Sequence, residues 1–549
     1  MTKVLMLKYY TKLVSRQIND DLLIHKLLKD VEPINIGDAD TLFAFSQRGM
    51  GFYRKLYILI AHALSKRGYP SIFLFKDNFL SQYTPQNSNF LSRIGEKINV
   101  FFKNFDISSY FPRLIIDGKE LSNSLVEEVS KIRITDKQEG KLRYDWDIDL
   151  EKKIISTNEL NFSPLIHNTL RAIFKRYNID FEDKEILCIT KDMILTCDLL
   201  FYYFNLLKKH ASENKKKIRI VGWETNYLPN SAFLFLCNSL SNDRDIEYID
   251  LSRGYNQYFG YNIRESNIVS SNLTRSGKEN RFVVDNNELR SVAEEYDADR
   301  TFSEIKNIIK KPITKDFKPE QKEVIKLVRK YKSLGKNVFC LFTHLFYDTP
   351  LDDSSSSFKD MCEWLLETID FFKKTDDFLL LKPHPVEIRP EYPEKEPNET
   401  LSSFLKSHNI YLSHNIFLLE PRLFSLNEIV IFVDCGLVWR ASVALELPFY
   451  NVPSIIAGSP PYKILDFNYA KNKKDYFYII KNIDKLDICD DLKLNVARYL
   501  LAMKKNHVYV NSIAYDKKIK KNYLEKNLID KYIKDGDKNI DFLVNEVLK

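Results

Sequence analysis

Asn337-Val338-Phe339-Cys340-Leu341-Phe342-Thr343-His344 and Asp377-Phe378-Leu379-Leu380-Leu381-Lys382-Pro383-His384-Pro385 form the stretch pair from which the fold can be read. Each is a short apolar run that ends abruptly in polar and basic residues. Between them Phe358, Met361, Leu365, Ile369 and Phe372 recur at helical spacing. Strand, helix, strand in that order is the crossover unit of a parallel sheet. Runs that are apolar throughout, rather than alternating, belong in a sheet covered on both faces. The same logic carries downstream: Ile429-Val430-Ile431-Phe432-Val433 reads as a third strand, Leu437 to Leu445 as a helix and Pro448 to Val452 as a further strand.

Working upstream, Asp38 to Phe75 repeats the arrangement. A loop with Arg48-Gly49-Met50-Gly51 leads into a helix carrying Phe52, Leu56, Ile60, Ala63 and Leu64. Gly68-Tyr69-Pro70 stops that helix, a glycine cap followed by proline. Ser71 to Phe75 then reads as a strand, as do Lys217 to Gly222 and Ile246 to Leu251, with a helix over Ser231 to Leu240 between the last two. The expected organisation is a first α/β domain over 1–311, with 76–180 as an insertion or cap, and a second over 312–520. A C-terminal helix is expected over 521–549. Pro312 and Pro319 mark the hinge region between the two domains.

Composition excludes several function classes. The 549 residues are 44% hydrophobic and 29% charged, which argues against wholesale disorder. A net charge of +7 is small for this length, and the densest basic run is only Lys215-Lys216-Lys217. Nucleic-acid binders concentrate basic residues into a face or stripe, so no nucleic-acid partner is expected. No uninterrupted apolar run approaches the length of a spanning helix, and Met1 to Lys8 has too short an apolar core for a signal peptide. Seven scattered cysteines without a CxxC pair read as reduced thiols. The expected location is therefore the cytoplasm, with peripheral contact at an inner membrane as the looser expectation. Only 15 residues are glycine, well below the usual ~7%, so each glycine at a strand end attracts attention.

In open α/β sheets ligands bind beyond the carboxyl ends of the strands. The candidate site is therefore assembled from the residues just past each strand: Thr343 and His344, then Lys382 and His384, then Gly436, with Arg440 and Ser442 beyond it. Cationic side chains, imidazoles and a helix N-terminus together make an anion site. Prolines on both sides of His384 fix its backbone and aim one imidazole. Asp348, Glu387 and Arg389 lie close by in sequence. The remaining histidines show no ligand spacing, so no metal and no cofactor are expected. On the first domain, Gly49 and Gly51 match only part of a dinucleotide fingerprint and read as a loop facing a ligand. Glu224, after a strand, is the candidate general base, with Asp38 as its alternative, and Arg253 could meet an anionic acceptor.

Leu341 to Asp348, Phe358-Lys359-Asp360 with Glu363-Trp364-Leu365, and Leu381-Lys382-Pro383-His384-Pro385 occur in an order that resembles the capsule polysaccharide biosynthesis family. That family includes Kdo-transferase-like proteins and is distantly related to transferases using CDP-glycerol or CMP-sugars. Ala457 to Tyr462, Asp466-Phe467 and Asp475-Tyr476-Phe477 resemble its C-terminal segment, so the likeness spans roughly 335–480. It implies a GT-B-like fold: two doubly wound Rossmann-type domains facing across a cleft, the nucleotide donor mostly on the second. It further implies a metal-independent glycosyltransferase that moves a sugar from a CMP- or UDP-linked donor to a carbohydrate or glycolipid acceptor in surface polysaccharide synthesis. His384 would contact donor phosphate or cytidine, and an export complex would be a natural partner. One departure stands out: the family shows a hydroxyl and an early helical glutamate after the third strand, whereas here Asp434-Cys435-Gly436-Leu437 occupies that place. Polyol phosphate transfer from a CDP donor, or a catalytically inert nucleotide- or glycan-binding paralogue acting as a scaffold, are the competing expectations.

Overall fold

The computed structural model describes residues 19–20, 22–23, 26–27, 30, 40–45, 52–73, 142–222, 228, 230–240, 245–251, 268–270, 273–276, 284–306, 311–314, 316–347, 357–388, 396–516 and 521–549. Contacts divide the chain into two compact units. The first comprises 1–173, 180–281 and 506–549, the second 174–179 and 282–505. No helix among the described residues is long and apolar enough to cross a membrane.

The first unit contains strands β1 (Thr41–Phe45) and β2 (Ser71–Phe73), joined by the helix Phe52–Ser65. A three-stranded meander comes next: β3 (Asp147–Asp149), β4 (Ile154–Thr157) and β5 (Leu160–Asn161). Helices Ser163–Phe174 and Lys184–Asn214 lead to β6 (Lys217–Gly222), and the helix Asn230–Leu240 leads to β7 (Ile246–Asp250). Strands β8 (Ile268–Ser270) and β9 (Thr274–Arg275) complete this part of the chain. The main sheet runs β2-β1-β6-β7-β9, parallel except for the last pairing. Within the expected insertion or cap, 142–173 forms a meander with its own small sheet and a helix.

The second unit opens earlier than expected, with helices Asn286–Glu295 and Ala298–Ile305. Asp285 and Asp297 cap them, each accepting a backbone N–H of the first turn. Their buried residues Val292, Thr301 and Ile305 lie on the side of the helix Asp490–Lys505, and Lys504 and Lys505 pair with Glu304 and Glu295. Packed helical structure of the second unit thus begins ahead of Pro312 and Pro319. Beyond the helix Pro319–Ser333 comes β10 (Val338–Phe342), then the helix Met361–Phe372 and β11 (Phe378–Lys382). The helix Leu401–Ser407 precedes β12 (Ile416–Leu418), and β13 (Cys435–Val438), β14 (Ser454–Ile456) and β15 (Asn468–Tyr469) complete the series.

All pairings in this six-stranded sheet are parallel, in the order β12-β11-β10-β13-β14-β15. Counted from β10 this is the 3-2-1-4-5-6 order of a doubly wound Rossmann sheet. The apolar runs behave as expected, since every residue of β10, β11 and β13 is buried. A core of Trp364, Ile369, Phe372, Leu379, Leu437, Trp439 and Tyr476, among others, fills one face.

Two expectations at the third strand are corrected. Ile429 to Val433 is not a strand: Ser425 and Glu428 form a capping box that starts a short helix Leu426–Ile429, and the chain turns before β13. Pro448 to Val452 is not a strand either, because Leu447–Tyr450 winds as a 3-10 turn and the strand falls at Ser454–Ile456. Asp434 explains the register. It accepts the N–H of Val338 at 2.8 Å and takes Lys332 at 2.8 Å, pinning the start of β13 beside the start of β10.

The chain then leaves the second unit. Strand β16 (His507–Tyr509) pairs antiparallel with β8, and β17 (Ile513–Asp516) pairs with β18 (Lys521–Leu524). The expected single C-terminal helix is two, Lys526–Asp535 and Lys538–Leu548, and both pack into the first unit. Their residues Ile529, Tyr532, Ile540, Leu543, Val544 and Val547 join the core formed by the helix Phe52–Ser65.

Candidate functional site

In a 3-2-1-4-5-6 sheet the crevice opens where strands 1 and 4 diverge, here between β10 and β13. Register fixes which residues stand there. Phe342 pairs with Lys382 on one side and with Val438 on the other, and Val438 pairs with Ile456. Two residues beyond that common row come His384, His344, Arg440 and Gly458, in spatial order along the sheet. Three basic groups and a glycine thus stand at the same level on four adjacent strand ends.

The electrostatics agree with the register. His344 is pushed down to about 3, first by burial and then by its neighbours His384 and Arg440. It is therefore neutral at physiological pH, and its Nε2 is buried without a hydrogen-bond partner among the described residues. His384 Nδ1 accepts the N–H of Val386 at 3.2 Å. With that nitrogen acting as an acceptor, the ring proton sits on Nε2 and can be offered as a donor.

Thr343 and Lys382 have different tasks. The Thr343 N–H and hydroxyl both donate to the Lys382 carbonyl, at 3.1 and 3.3 Å, so this residue ties β10 to β11. The Lys382 ammonium is buried and donates to the Phe424 carbonyl at 2.7 Å. Burial lowers its pKa, opposed by Cys340 and Glu428. Its charge lies beneath the strand ends, engaged by the backbone.

Gly436 is not at a strand-to-helix turn. It lies inside β13, and a Cβ there would sit 2.4 Å from Leu447 Cδ1, so close packing accounts for it. The expected helix N-terminus at Gly436 is absent for the same reason. The strand truly ends at Val438, and the turn Trp439-Arg440-Ala441-Ser442 enters the short helix Val443–Glu446. This turn and short helix carry a hydroxyl at Ser442 and a carboxylate at Glu446.

The glycine that matters is Gly458. A Cβ there would lie 2.6 Å from Arg440 Cγ and 2.7 Å from the Trp439 carbonyl oxygen. The Gly458 N–H donates to that same carbonyl at 2.9 Å, so only hydrogen fits between the two loops. Tyrosines brace them from below: Tyr462 donates to the Ala441 carbonyl at 2.6 Å and Tyr499 to the Pro461 carbonyl at 3.2 Å. The sequence signal for Gly458 was there in Gly458-Ser459-Pro460-Pro461, but the misplaced strand hid its position. Among the described residues no three His, Cys, Asp or Glu side chains gather to hold a metal ion. Asp38, Gly49, Gly51, Glu224, Arg253, Asp348 and Arg389 lie outside the described residues.

No family model matches the chain, and no curated protein matches it. Among solved structures, the chain is similar to the KpsC beta Kdo 2,7 transferase of Thermosulfurimonas dismutans, at 14% identity and a TM-score of 0.30, over 60% of this chain and 89% of the other. The KpsC beta Kdo 2,4 transferase of that organism stands at 12% identity and 0.29, over 58% and 87%. A UDP-bound S. aureus MnaA stands at 12% identity and 0.20, over 84% and 91%, so all three are remote likenesses and the α/β assignment rests on the strand order itself.

Proposed function

We propose that the second unit binds the phosphate of a nucleotide-linked sugar and that the protein is a glycosyltransferase acting on a carbohydrate or glycolipid acceptor. The observation that supports this reading is the row of His384, His344 and Arg440 across the Rossmann switch point, with the buried Nε2 of His344 lacking a partner among the described residues. Burial, and then the neighbouring His384 and Arg440, depress His344, and a bound phosphate would offset the repulsion among the three groups. The His384 Nε2–H and the Arg440 guanidinium would hold the leaving phosphate as charge develops on it. Lys382 would add a buried positive charge below, and Ser442 a hydroxyl at the edge of the same turn. The order of sequence motifs that resembles the capsule polysaccharide family supports a sugar donor in particular, CMP- or UDP-linked. On the acceptor side we assign Glu224 as the general base, with Asp38 the alternative, and Gly49, Gly51 and Arg253 as acceptor contacts.

A thermal-shift series with CMP, CDP, UDP and GDP tests the reading, since a ligand that binds only the folded state raises the melting temperature by mass action. A pyrimidine nucleotide is expected to stabilise the wild type and to lose its effect in His384→Ala. Absence of a shift with all four would sink the donor site. Donor hydrolysis in Glu224→Ala then decides the base: unchanged turnover would remove Glu224 from the mechanism.

A further inference from the structure

The turn carrying His384 is held by a residue that the proposed chemistry leaves unused. Pro385–Glu387 form one 3-10 turn with His384 as its N-cap, the imidazole accepting the Val386 N–H. Glu387 occupies the third position, and its N–H donates to the His384 carbonyl at 2.9 Å, which closes the turn. Glu387 Oε2 also accepts the N–H of Leu401 at 3.0 Å, which anchors the turn to the start of the helix Leu401–Ser407. The residue is 3% exposed, and its Oε1 has no hydrogen-bond partner among the described residues. Such an oxygen is costly to keep inside a protein and calls for a reason.

The charged neighbours do not neutralise it. Arg422, from the loop after β12, donates its Nε to the Pro385 carbonyl at 3.1 Å. The Lys382 ammonium is taken by Phe424, and Glu399, beside the Leu401 helix start, accepts the Tyr177 N–H at 2.6 Å. Burial therefore dominates and pushes the Glu387 carboxyl up to about 7, with the Leu401 and His384 N–H groups acting the other way.

We propose that Glu387 is the positioning residue of the anion site: bonded through its N–H to the His384 carbonyl and through its carboxyl to Leu401, it fixes the direction of the imidazole, and only its uncharged form suits a bound phosphate. The proposal rests on the phosphate-binding reading of the same site and deepens it. Below neutrality the carboxyl is protonated and adds no negative charge. Above neutrality it ionises close to the ligand's own negative charge, so phosphate capture weakens as pH rises.

Calorimetric titration of CDP, and separately of UDP, into wild type, Glu387→Gln and Glu387→Ala at about pH 6 and about pH 8.5 tests this. Wild-type affinity is expected to fall about tenfold between the two. Glu387→Gln, which keeps the shape and cannot ionise, should stay near the acid wild-type value at both. Glu387→Ala should bind about tenfold more weakly throughout. A Glu387→Gln variant that follows the wild-type pH dependence overturns the proposal, as does a Glu387→Ala variant that binds like wild type. Ring nitrogen-15 spectra of His384 decide the positioning role without ligand: the Nε2-protonated form should dominate in wild type and Glu387→Gln and give way to a mixture in Glu387→Ala. An unchanged tautomer in Glu387→Ala overturns it. If neither nucleotide binds wild type, the donor reading fails by itself, and the ring spectra still judge Glu387.

Discussion

Gly458 shows how little room the site has. Gly458→Ala would place a methyl group 2.6 Å from Arg440 Cγ and 2.7 Å from a backbone oxygen that is already bonded. Overpacking of this kind costs about 1–3 kcal/mol, and the side most able to yield is the Arg440 side chain. The variant should melt lower and, in the same titrations, lose nucleotide affinity by about tenfold, or ~1.4 kcal/mol. A destabilised variant with wild-type affinity would detach Arg440 from the site. At this scale the sequence was informative where backbone and chemistry coincide. His344 and His384 could be picked out because they come directly after unmistakable strands. The partner of Lys382 was not legible, because it is the carbonyl of Phe424 in a distant loop, and carbonyl positions leave no trace in residue type. Glu387 was visible only as a nearby acid, since its importance comes from burial.

Elements were legible in proportion to the strength of their punctuation. The helix Phe52–Ser65 lies where Gly68 and Pro70 said it would stop, and β6, β7, β10 and β11 lie where apolar runs meet polar ends. Ile429 to Val433 misled because a short β-branched run fits a buried helix end as well as a strand. The Ser425 to Glu428 spacing was the better signal. The 31-residue helix Lys184–Asn214 carries a further case. Asp198, fully buried in its middle, accepts the N–H groups of Arg143 and Tyr144 and the indole N–H of Trp146, at 3.0–3.1 Å. It clamps the segment that enters the β3–β5 meander. Asp198→Asn keeps the shape but replaces one acceptor oxygen by a donor facing donors. The expected cost is about 2–4 kcal/mol, read as a lower urea midpoint at an unchanged slope. A loss under about 0.5 kcal/mol would mean the clamp is not structural.

Across the whole molecule, neutral histidines set the acid limit. Burial holds His62, His167 and His507 at about 4 and His344 at about 3. A histidine depressed in the folded state contributes stability above its unfolded value of about 6.5, lost as pH falls through that value toward the folded one. His62 is 2% exposed, and its shift corresponds to on the order of 3 kcal/mol. The protein should therefore lose stability steeply between about pH 6.5 and about pH 4, and His62→Gln should soften that loss. Chemical unfolding at both pH values checks it: equal losses in the two proteins would show that His62 does not titrate on unfolding.

The two-unit organisation was legible in the sequence as two runs of strand and helix, but its boundaries were not. Residues 506–549 are tied to the first unit by packing against a helix more than four hundred residues earlier, and no local pattern encodes that. The return has a consequence for synthesis. On the ribosome the first unit emerges without Tyr532, Leu543 and Val547, which complete its interior, while the second unit has all of its chain once Lys505 is out. The half made first is thus the half finished last, and until then its open apolar face is what a nascent-chain chaperone would meet.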